Sequence, residues 1–271
     1  MSESPWSEVD DSALAALVAD DAGRALLALR DELDEPSGSE SLREQADRLA
    51  NRVIVGLLHQ WRPDDAILSE EAPDDLRRID ADRVWIVDPL DGTREYAERA
   101  ETGWRDDWAV HVALWTRAAG AAIGAVSMPA RGVTFDTARP PVAPAGPEWG
   151  SRPLRLAVSR SHPAPIVDYL KANLDAEFVA MGSAGVKAMA VVTGEVDAYV
   201  HDGGQFEWDS AAPVAVATAA GCVARRLDGS ALHYNLPNPW LPDLVVSAPS
   251  IAAELGRLLA SAGASTGRVL K

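Results

Sequence analysis

Apolar residues recur every three or four positions along the first sixty residues, which is the spacing that one face of an α-helix presents. Residues 11–33 and residues 41–61 both follow this period, and a turn-rich stretch at 35–41 separates them. Asp10 or Asp11 stands where the N-cap of the first helix is expected. The pattern therefore predicts two packed N-terminal helices.

Short apolar runs follow these helices. Residues 66–68 and residues 83–88 are typical of buried strands, and the second run, Arg-Val-Trp-Ile-Val-Asp, ends in an acid. A strand that carries functional residues at its tip has this form. Further strand-like runs lie at 107–116, 121–128 and 132–137.

The pattern changes in the middle of the chain. Residues 137–153 contain five prolines and no apolar period, which indicates a domain boundary or a long surface excursion. Strand-like and helix-like runs alternate afterwards, as in a layered α/β structure. The strand-like runs are 154–159, 177–181, 197–201, 222–227 and 243–247. The helix-like runs are 163–173, 184–193, 209–220 and 249–261. We divide the chain into an N-terminal α+β part, 1–150, and a C-terminal α/β part, 151–271.

Composition narrows the classes of function. The 271 residues include 41 acidic and 25 basic side chains, a formal charge of −16, which argues against a nucleic-acid polymer or an anionic membrane as a partner. The apolar runs are too short to span a bilayer, and the first residues lack the basic-then-apolar order of a secretory signal. The single cysteine, Cys222, lies in an apolar stretch, as in proteins of reducing compartments. We expect a cytoplasmic protein in which Cys222 is buried.

Acidic residues gather at the ends of predicted elements. Residues 88–93, Asp-Pro-Leu-Asp-Gly-Thr, place two carboxylates around one turn, and Mg²⁺ binds such oxygen ligands. Glu70 and Glu71 follow an earlier strand, and Asp209 opens a later helix, where it is a natural N-cap. Each acid alone is consistent with a helix cap or a solvated charge. Together they favour a metal site over a purely structural role.

Such a site predicts chemistry on a phosphate ester. Two divalent ions roughly 3.5–4 Å apart bind one phosphate, activate a water and stabilise the leaving oxygen. The backbone N–H groups of Gly92 and Thr93 would cradle the phosphate at a helix start, and the Thr93 hydroxyl would hold the attacking water. Asp47, on the second helix, is a candidate acceptor for the Thr93 proton, with a solvated helix charge as the alternative. The residues predict metal-assisted phosphate ester hydrolysis without a phosphoenzyme.

Other motifs fail on spacing. A haloacid-dehalogenase phosphatase needs two aspartates two positions apart, whereas Asp88 and Asp91 are three apart. The sequence contains no P-loop, and residues from 88 onward do not follow the ligand spacing of an EF-hand loop. The five histidines are scattered singly. We expect them to be packing or surface residues.

Three motifs, taken together and in this order, resemble the signature of the inositol monophosphatase-like superfamily. They are Ser-Glu-Glu at 69–71, Asp-Pro-Leu-Asp-Gly-Thr at 88–93 and Trp-Asp-Ser-Ala-Ala-Pro at 208–213. The surrounding stretches are most similar to the CysQ-type 3'-phosphoadenosine 5'-phosphate phosphatases, and the resemblance covers residues 10–260. It implies a layered α-β-α-β-α fold of the α/β (α+β) class, dependence on Mg²⁺ and sensitivity to lithium.

The resemblance also implies a role for each acidic residue. The first Mg²⁺ site would consist of Glu71, Asp88 and the Leu90 carbonyl. The second would consist of Asp88, Asp91 and Asp209. Glu70 would help to hold a third, weaker ion, and Thr93 with Asp47 would form the pair that activates water. In the stretch that leads to Asp47, residues 36–47 match the family pattern only at the final Ala-Asp.

Further residues are expected to contact the substrate. By resemblance these are Leu90, Asp91, Gly92, Thr93 and Asp209 around the phosphate, with Gly182 and Ser183 on the rest of the substrate. Lys187, one turn after Ser183, is a candidate cation for a second phosphate, and a surface helix lysine is the alternative. His201, Tyr234 and Trp240 are candidates for an adenine pocket, with core packing as the alternative.

The resemblance implies a 3'(2'),5'-bisphosphate nucleotidase, which removes the 3'-phosphate of 3'-phosphoadenosine 5'-phosphate and acts in sulfur assimilation. Inositol 1-phosphate and fructose 1,6-bisphosphate are the alternative substrates. A non-catalytic regulator that binds metal or nucleotide is the alternative from another class, but it would be expected to have lost one of the site residues. Two or three Mg²⁺ ions are expected, and a homodimer is left open.

Overall fold

The computed structural model describes residues 9–32, 40–101, 103–161 and 163–266, and all statements about the fold refer to them. The α-helices are α1 (Asp11–Asp31), α2 (Glu40–Trp61), α3 (Thr93–Tyr96), α4 (Ile166–Asn173), α5 (Ala184–Val192), α6 (Glu207–Ala219) and α7 (Ala252–Thr266). The first seven strands are β1 (Ala66–Ser69), β2 (Arg83–Asp91), β3 (Arg99–Ala100), β4 (Gly103–Trp104), β5 (Ala109–Thr116), β6 (Gly120–Met128) and β7 (Val133–Asp136). The others are β8 (Leu154–Ser159), β9 (Ala176–Met181), β10 (Ala198–His201), β11 (Gln205–Phe206), β12 (Val223–Arg225), β13 (Trp240–Leu241) and β14 (Leu244–Ser247).

The first large sheet has the strand order β1-β2-β5-β6-β7. β1 and β2 are parallel, and the remaining neighbours are antiparallel. Helices α1 and α2 cover one face, where Leu14 and Ile54 belong to the same apolar cluster as Trp85 and Val112. β2 and β5 are buried on both faces, which explains their nearly continuous apolar runs.

The second large sheet has the strand order β12-β14-β10-β8-β9. β8 is parallel to both β9 and β10, whereas β14 is antiparallel to its two neighbours. Helices α4 and α7 cover its outer face, where Ile166 and Leu255 pack with Leu156 and Val245.

Helices α5 and α6 lie between the two sheets and bury apolar side chains against both. Val186 and Val216 share one cluster with Ile86 of the first sheet and Val246 of the second. The helix-sheet-helix-sheet-helix order confirms the predicted α-β-α-β-α layering. A Cβ atom on Gly124 of β6 would lie 3.0 Å from the Ala212 backbone of α6, so glycine allows this helix to pack closely.

The proline-rich segment 137–153 connects the two large sheets without forming a helix or strand of its own. It is held by backbone hydrogen bonds, from Ala143 N–H to the Ala220 carbonyl and from Ser250 N–H to the Ala145 carbonyl. The central apolar cluster takes residues from both sides of this segment. The division of the chain into 1–150 and 151–271 stays a prediction.

Several details at the element ends differ from the sequence pattern. The Asp10 carboxylate is the N-cap of α1 and accepts from the N–H groups of Ser12 and Ala13. The last helix starts with a 3₁₀ turn at Pro249–Ile251, so α7 begins three residues later than its apolar period. Most of the predicted turn at 35–41 lies outside the described residues. Cys222 is buried, as expected.

Among the residues that the structure describes, each helix is too short or too polar to cross a lipid bilayer.

Candidate active site

The C-terminal end of β2 carries Asp88 and Asp91. The pairing of β2 with β5 shifts in register between these two residues, and Pro89, which cannot donate a ladder hydrogen bond, lies within the shift. Gly92 follows with a φ of 91°, and a Cβ atom there would lie 3.3 Å from Trp108. Glycine therefore meets both the left-handed conformation and the close packing that this turn requires.

Three of the predicted ligands meet in space. Carboxylate oxygens of Asp88, Asp91 and Asp209 lie within 4.8 Å of one another. Asp88 is only 1% exposed and Asp91 only 8%. Glu70, just after β1, shares a hydrogen bond with the side chain of Asp88. The structure thus brings together four acidic residues from three separate segments of the chain.

Asp209 is the third residue of α6, so the prediction that it is the N-cap is wrong. The N-cap position belongs to Phe206, whose backbone N–H donates to Asp209 Oδ2 over 2.6 Å. A carboxylate at the third position can reach back to this unpaired N–H group, as in a capping box.

Crowding of negative charge alters the protonation of these acids. Desolvation in the cleft and the charge of Asp209 raise the pKa of Glu70 to about 7, although the residue keeps access to solvent. Burial and the charge of Asp91 raise the pKa of Asp209 to about 6. Burial and the charge of Glu70 raise the pKa of Asp88 well above its ordinary value.

A divalent cation fits this donor set. The carboxylates supply hard oxygen ligands within one small space, and Mg²⁺ prefers such ligands. Without a cation, the raised pKa values mean that protons must relieve the repulsion among the acids. A bound cation would relieve it instead.

Asp91 differs from its neighbours because protein groups occupy one of its oxygens. Oδ2 accepts from the Ser183 hydroxyl and from the Gly185 N–H over 2.7 Å, and it lies 3.2 Å from His111 Nε2. Burial opposes ionisation of Asp91, but His111 and its other partners outweigh burial and lower the pKa to about 2. Oδ1 is therefore the oxygen that remains for a ligand.

The role of His111 was missed by the sequence reasoning, which treated the histidines as packing or surface residues. His111 is fully buried in β5 and touches Asp91. The available signal was a polar residue inside the otherwise apolar run of 109–115. A buried polar side chain in such a run needs a partner.

Gly182 and Ser183 form the turn that enters α5. The Gly182 N–H donates to Asp107 Oδ2 over 2.7 Å. Ser183 has a φ of 47° and its hydroxyl oxygen accepts from the Val186 N–H, which caps the helix. Both residues border the cleft beside the acidic cluster. Ser183 also holds Asp91, a contact that the sequence analysis did not predict.

Thr93 and Asp47 face each other across the site. Thr93 Oγ1 lies 3.0 Å from the Leu90 carbonyl oxygen and 3.4 Å from Asp47 Oδ1. Burial and the charge of Glu71 raise the pKa of Asp47 to about 7, and the hydrogen bond from Thr93 opposes this rise. Glu71 thus lies near Asp47, and Glu70 lies near Asp88.

A cleft of about 690 Å³ opens beside the acidic cluster. Asp91, Thr93 and Asp209 border one end. Its other walls include Ser159, Ser161, Gly182, Ser183, His201 and Gln205. The volume lies in the range of pockets that hold a whole small molecule, and it exceeds the needs of a phosphate group alone.

Lys187 is buried, so the alternative of a surface helix lysine is wrong. It is 4% exposed, and Nζ donates to the carbonyl oxygens of Ser183 over 2.6 Å and Gly182 over 3.2 Å. The ammonium group also lies 5.2 Å from the centre of the Tyr199 ring. Burial lowers the pKa of Lys187. The Lys187 side chain lines the same cleft as Gly182.

Of the three candidates for an adenine pocket, only His201 borders the cleft. Its Nε2 lies 3.1 Å from the Gly204 carbonyl oxygen. Tyr234 is buried and its hydroxyl donates to Ser210, so it is a packing residue. Trp240 is 46% exposed on β13.

The fold and the acidic site agree with a comparison against known families. The model of the inositol monophosphatase family matches residues 8–265, nearly the whole chain. The chain belongs to the inositol monophosphatase family.

Relatives within the family carry related names. A protein of Mycobacterium leprae named 3'-phosphoadenosine 5'-phosphate phosphatase is 49% identical over 91% of this chain and 92% of its own length. The 3'(2'),5'-bisphosphate nucleotidase CysQ of Escherichia coli is 31% identical over 70% of this chain and 78% of its own. The crystal structure of CysQ from Bacteroides thetaiotaomicron matches with a TM-score of 0.70 at 26% identity, covering 88% of this chain and 97% of that one.

Proposed function

We propose that this protein is a 3'(2'),5'-bisphosphate nucleotidase that hydrolyses the 3'-phosphate of 3'-phosphoadenosine 5'-phosphate to give AMP and phosphate. The observation that carries this proposal is the cluster of Asp88, Asp91 and Asp209 next to the Thr93–Asp47 pair, at one end of a cleft large enough for a nucleotide. The Mycobacterium leprae relative, named for this activity, supports the choice of substrate.

The acidic cluster would hold Mg²⁺. Asp88 would serve both of two ions, with Asp91 and Asp209 on the second and the Leu90 carbonyl on the first. The contacts favour Glu70 over Glu71 as the glutamate of the first site, because Glu70 bonds to Asp88 and Glu71 lies toward Asp47. A third, weaker ion would lie at the solvent-exposed glutamates. These ions would supply charge neutralisation for the phosphate and acidify the attacking water.

Thr93 and Asp47 would remove a proton from that water. The Thr93 hydroxyl would orient the water, and Asp47 would accept the proton through the hydroxyl. With a pKa of about 7, Asp47 is a base matched to neutral pH. Gly92 and Thr93 stand at the start of α3, where backbone N–H groups would bind phosphate oxygens.

The rest of the nucleotide would occupy the cleft beyond the Gly182 turn. Gly182 and Ser183 would contact it, and His201 borders the region where a base would lie. Lys187 would contribute positive charge beneath this region, although its ammonium group is bonded to two carbonyl oxygens. A second, 5'-phosphate would gain from this charge, whereas an inositol ring would not.

Phosphate release from three substrates tests the proposal. 3'-Phosphoadenosine 5'-phosphate, inositol 1-phosphate and fructose 1,6-bisphosphate are compared with Mg²⁺, with EDTA, and with Mg²⁺ plus lithium. We expect Mg²⁺-dependent, lithium-sensitive release that is fastest from the nucleotide. Faster release from a sugar phosphate would move the function to polyol or sugar metabolism. No release from any of the three would favour a binding protein.

A role in sulfur assimilation and a cytoplasmic location remain predictions, and a homodimer stays open. The first would follow from the substrate, because 3'-phosphoadenosine 5'-phosphate is the product left when a sulfate group leaves its activated carrier.

A further inference from the structure

His111 connects two elements that carry proposed metal ligands. One ring nitrogen, Nε2, lies 3.2 Å from Asp91 Oδ2 at the end of β2. The other, Nδ1, lies 3.1 Å from the backbone carbonyl oxygen of Trp208, the residue before Asp209. A carbonyl oxygen only accepts, so Nδ1 carries the hydrogen of this contact. One imidazole thus joins the strand of Asp91 to the first turn of α6.

The imidazole ring is closely packed, and its Nε2 meets Asp91 at ion-pair distance rather than through an aligned hydrogen bond. It is fully buried, and a Cβ atom on Gly185 would overlap Nε2, so glycine makes room for the imidazole. The Gly185 N–H donates to the same Asp91 oxygen that faces His111. Movement of the ring would therefore disturb Asp91 and α6 together.

We propose that His111 is a positioning residue that fixes the separation between Asp91 and Asp209, and thereby the affinity of the cation that these two carboxylates share with Asp88. The inference rests on the proposed use of these acids as ligands. Partners that orient metal ligands from behind typically change metal affinity by about 10–100-fold when they are removed. The contacts of His111 with Asp91 and with the Trp208 carbonyl form what we call the His111 bridge. We expect a loss of Mg²⁺ affinity in the same range when this bridge is broken.

Two substitutions separate the two ends of the bridge. In His111→Asn the amide nitrogen falls close to the place of Nδ1 and can donate to the Trp208 carbonyl, but it does not reach Asp91. In His111→Gln the amide nitrogen falls close to Nε2 and can reach Asp91, but not the Trp208 carbonyl. Each variant therefore keeps one contact of His111 and loses the other, so neither variant joins β2 to α6.

The test is isothermal titration calorimetry of Mg²⁺ into the full chain without substrate, with the thermal midpoint as a check on folding. We expect both variants to bind one cation about 10–100-fold more weakly than the wild type. His59→Gln, on an exposed position of α2, is the matched control and should bind normally. If one variant fails to fold, the other still tests the proposal.

Wild-type affinity in either folded His111 variant would overturn the bridge. Asp88→Asn separates this outcome from a failure of the metal site itself. If Asp88→Asn binds Mg²⁺ normally, the proposed metal site is wrong. If Asp88→Asn loses binding while a His111 variant retains it, only the role of His111 is wrong.

Discussion

Thr93 Oγ1 and Asp47 Oδ1 lie 3.4 Å apart, although the two residues are 46 positions apart in the chain. α2 carries Asp47, and Thr93 is the first residue of α3, which follows β2 after the Gly92 turn. The contact exists because α2 packs on the same sheet that ends in the acidic motif. A hydroxyl between a carboxylate and the acidic cluster is an arrangement that can relay a proton from a water to the carboxylate.

Loss of the Thr93 hydroxyl should slow the reaction without removing the metal ions. We expect Thr93→Ala to reduce kcat by about 10²–10⁴-fold, the range for a group that assists proton transfer. Thr93→Ser, which keeps the hydroxyl, is the matched control and should retain most of the activity. Mg²⁺ affinity should stay within a few-fold in both variants. An unchanged kcat in Thr93→Ala would remove Thr93 from the mechanism.

The pH dependence of the reaction should report Asp47. Its pKa is raised to about 7, so the carboxyl group is mostly protonated below that pH and cannot accept a proton. The rate should therefore fall on the acidic side of pH 7, by roughly tenfold per pH unit once the group is protonated. At Mg²⁺ concentrations that keep Glu70 and Asp209 ionised, Asp47→Asn should be slow at all pH values and lose this acidic limb. A wild-type profile that is flat between pH 5 and 8 would contradict the assignment.

The two glutamates after β1 should differ in importance. Glu70 bonds to Asp88, whereas Glu71 lies toward Asp47. We expect Glu70→Gln to lower kcat/KM strongly and to weaken Mg²⁺ binding, because a carboxylate ligand is lost. Glu71→Gln, its neighbour with the same change, should have a smaller effect. Equal losses, or a larger loss in Glu71→Gln, would restore Glu71 as the ligand of the first site.

Stability without metal should fall as the pH rises. Glu70 and Asp209 have pKa values of about 7 and about 6 in the folded protein, above the values of an unfolded chain. At pH values between the pKa of the unfolded chain and that of the folded protein, the folded state binds more protons than the unfolded state. The free energy of unfolding therefore decreases as pH increases in this interval. In EDTA, the contribution of these acids is present near pH 4.5 and is lost by about pH 7.

The difference between the thermal midpoints with Mg²⁺ and with EDTA, measured at each pH, reports the protonation of these acids directly. Other titrating groups contribute to both midpoints and largely cancel. We expect this difference to be larger at pH 8 than at pH 5, since Mg²⁺ binds the ionised carboxylates and must displace protons at low pH. Differential scanning fluorimetry with Mg²⁺ and with EDTA supplies the comparison. A difference that is constant over this range would mean that the cluster does not bind the cation.

The main layers of the fold were predictable because their helices and strands bury regular apolar patterns. α1, β8 and α5 lie within two residues of their predicted limits. Asp88 and Asp91 were recognisable as well, because a turn motif places both acids beside each other in sequence. Asp209 was grouped with them because each acid lies at the end of a predicted element, and the family resemblance then assigned Asp209 to the second metal site.

Other contacts at the site had no sequence signal because they depend on tertiary packing. Glu207, two residues before the proposed ligand Asp209, accepts from the N–H groups of Asn235 and Leu236 over 2.7 Å each. Both of its oxygens are thus used by a loop that comes much later in the chain. Lys187 was a candidate phosphate-binding cation, but no sequence pattern indicated that its ammonium group donates hydrogen bonds to the carbonyl oxygens of Gly182 and Ser183.

The most direct test of the central claim is to identify the products of 3'-phosphoadenosine 5'-phosphate hydrolysis in ¹⁸O-labelled water. The purified protein is incubated with the nucleotide and Mg²⁺, with an EDTA control, and both products are analysed by mass spectrometry. Attack of water on the 3'-phosphorus predicts unlabelled 5'-AMP and phosphate that carries one ¹⁸O atom, formed only with Mg²⁺. Formation of 3'-AMP, label in the nucleotide, or equal release in EDTA would contradict the account.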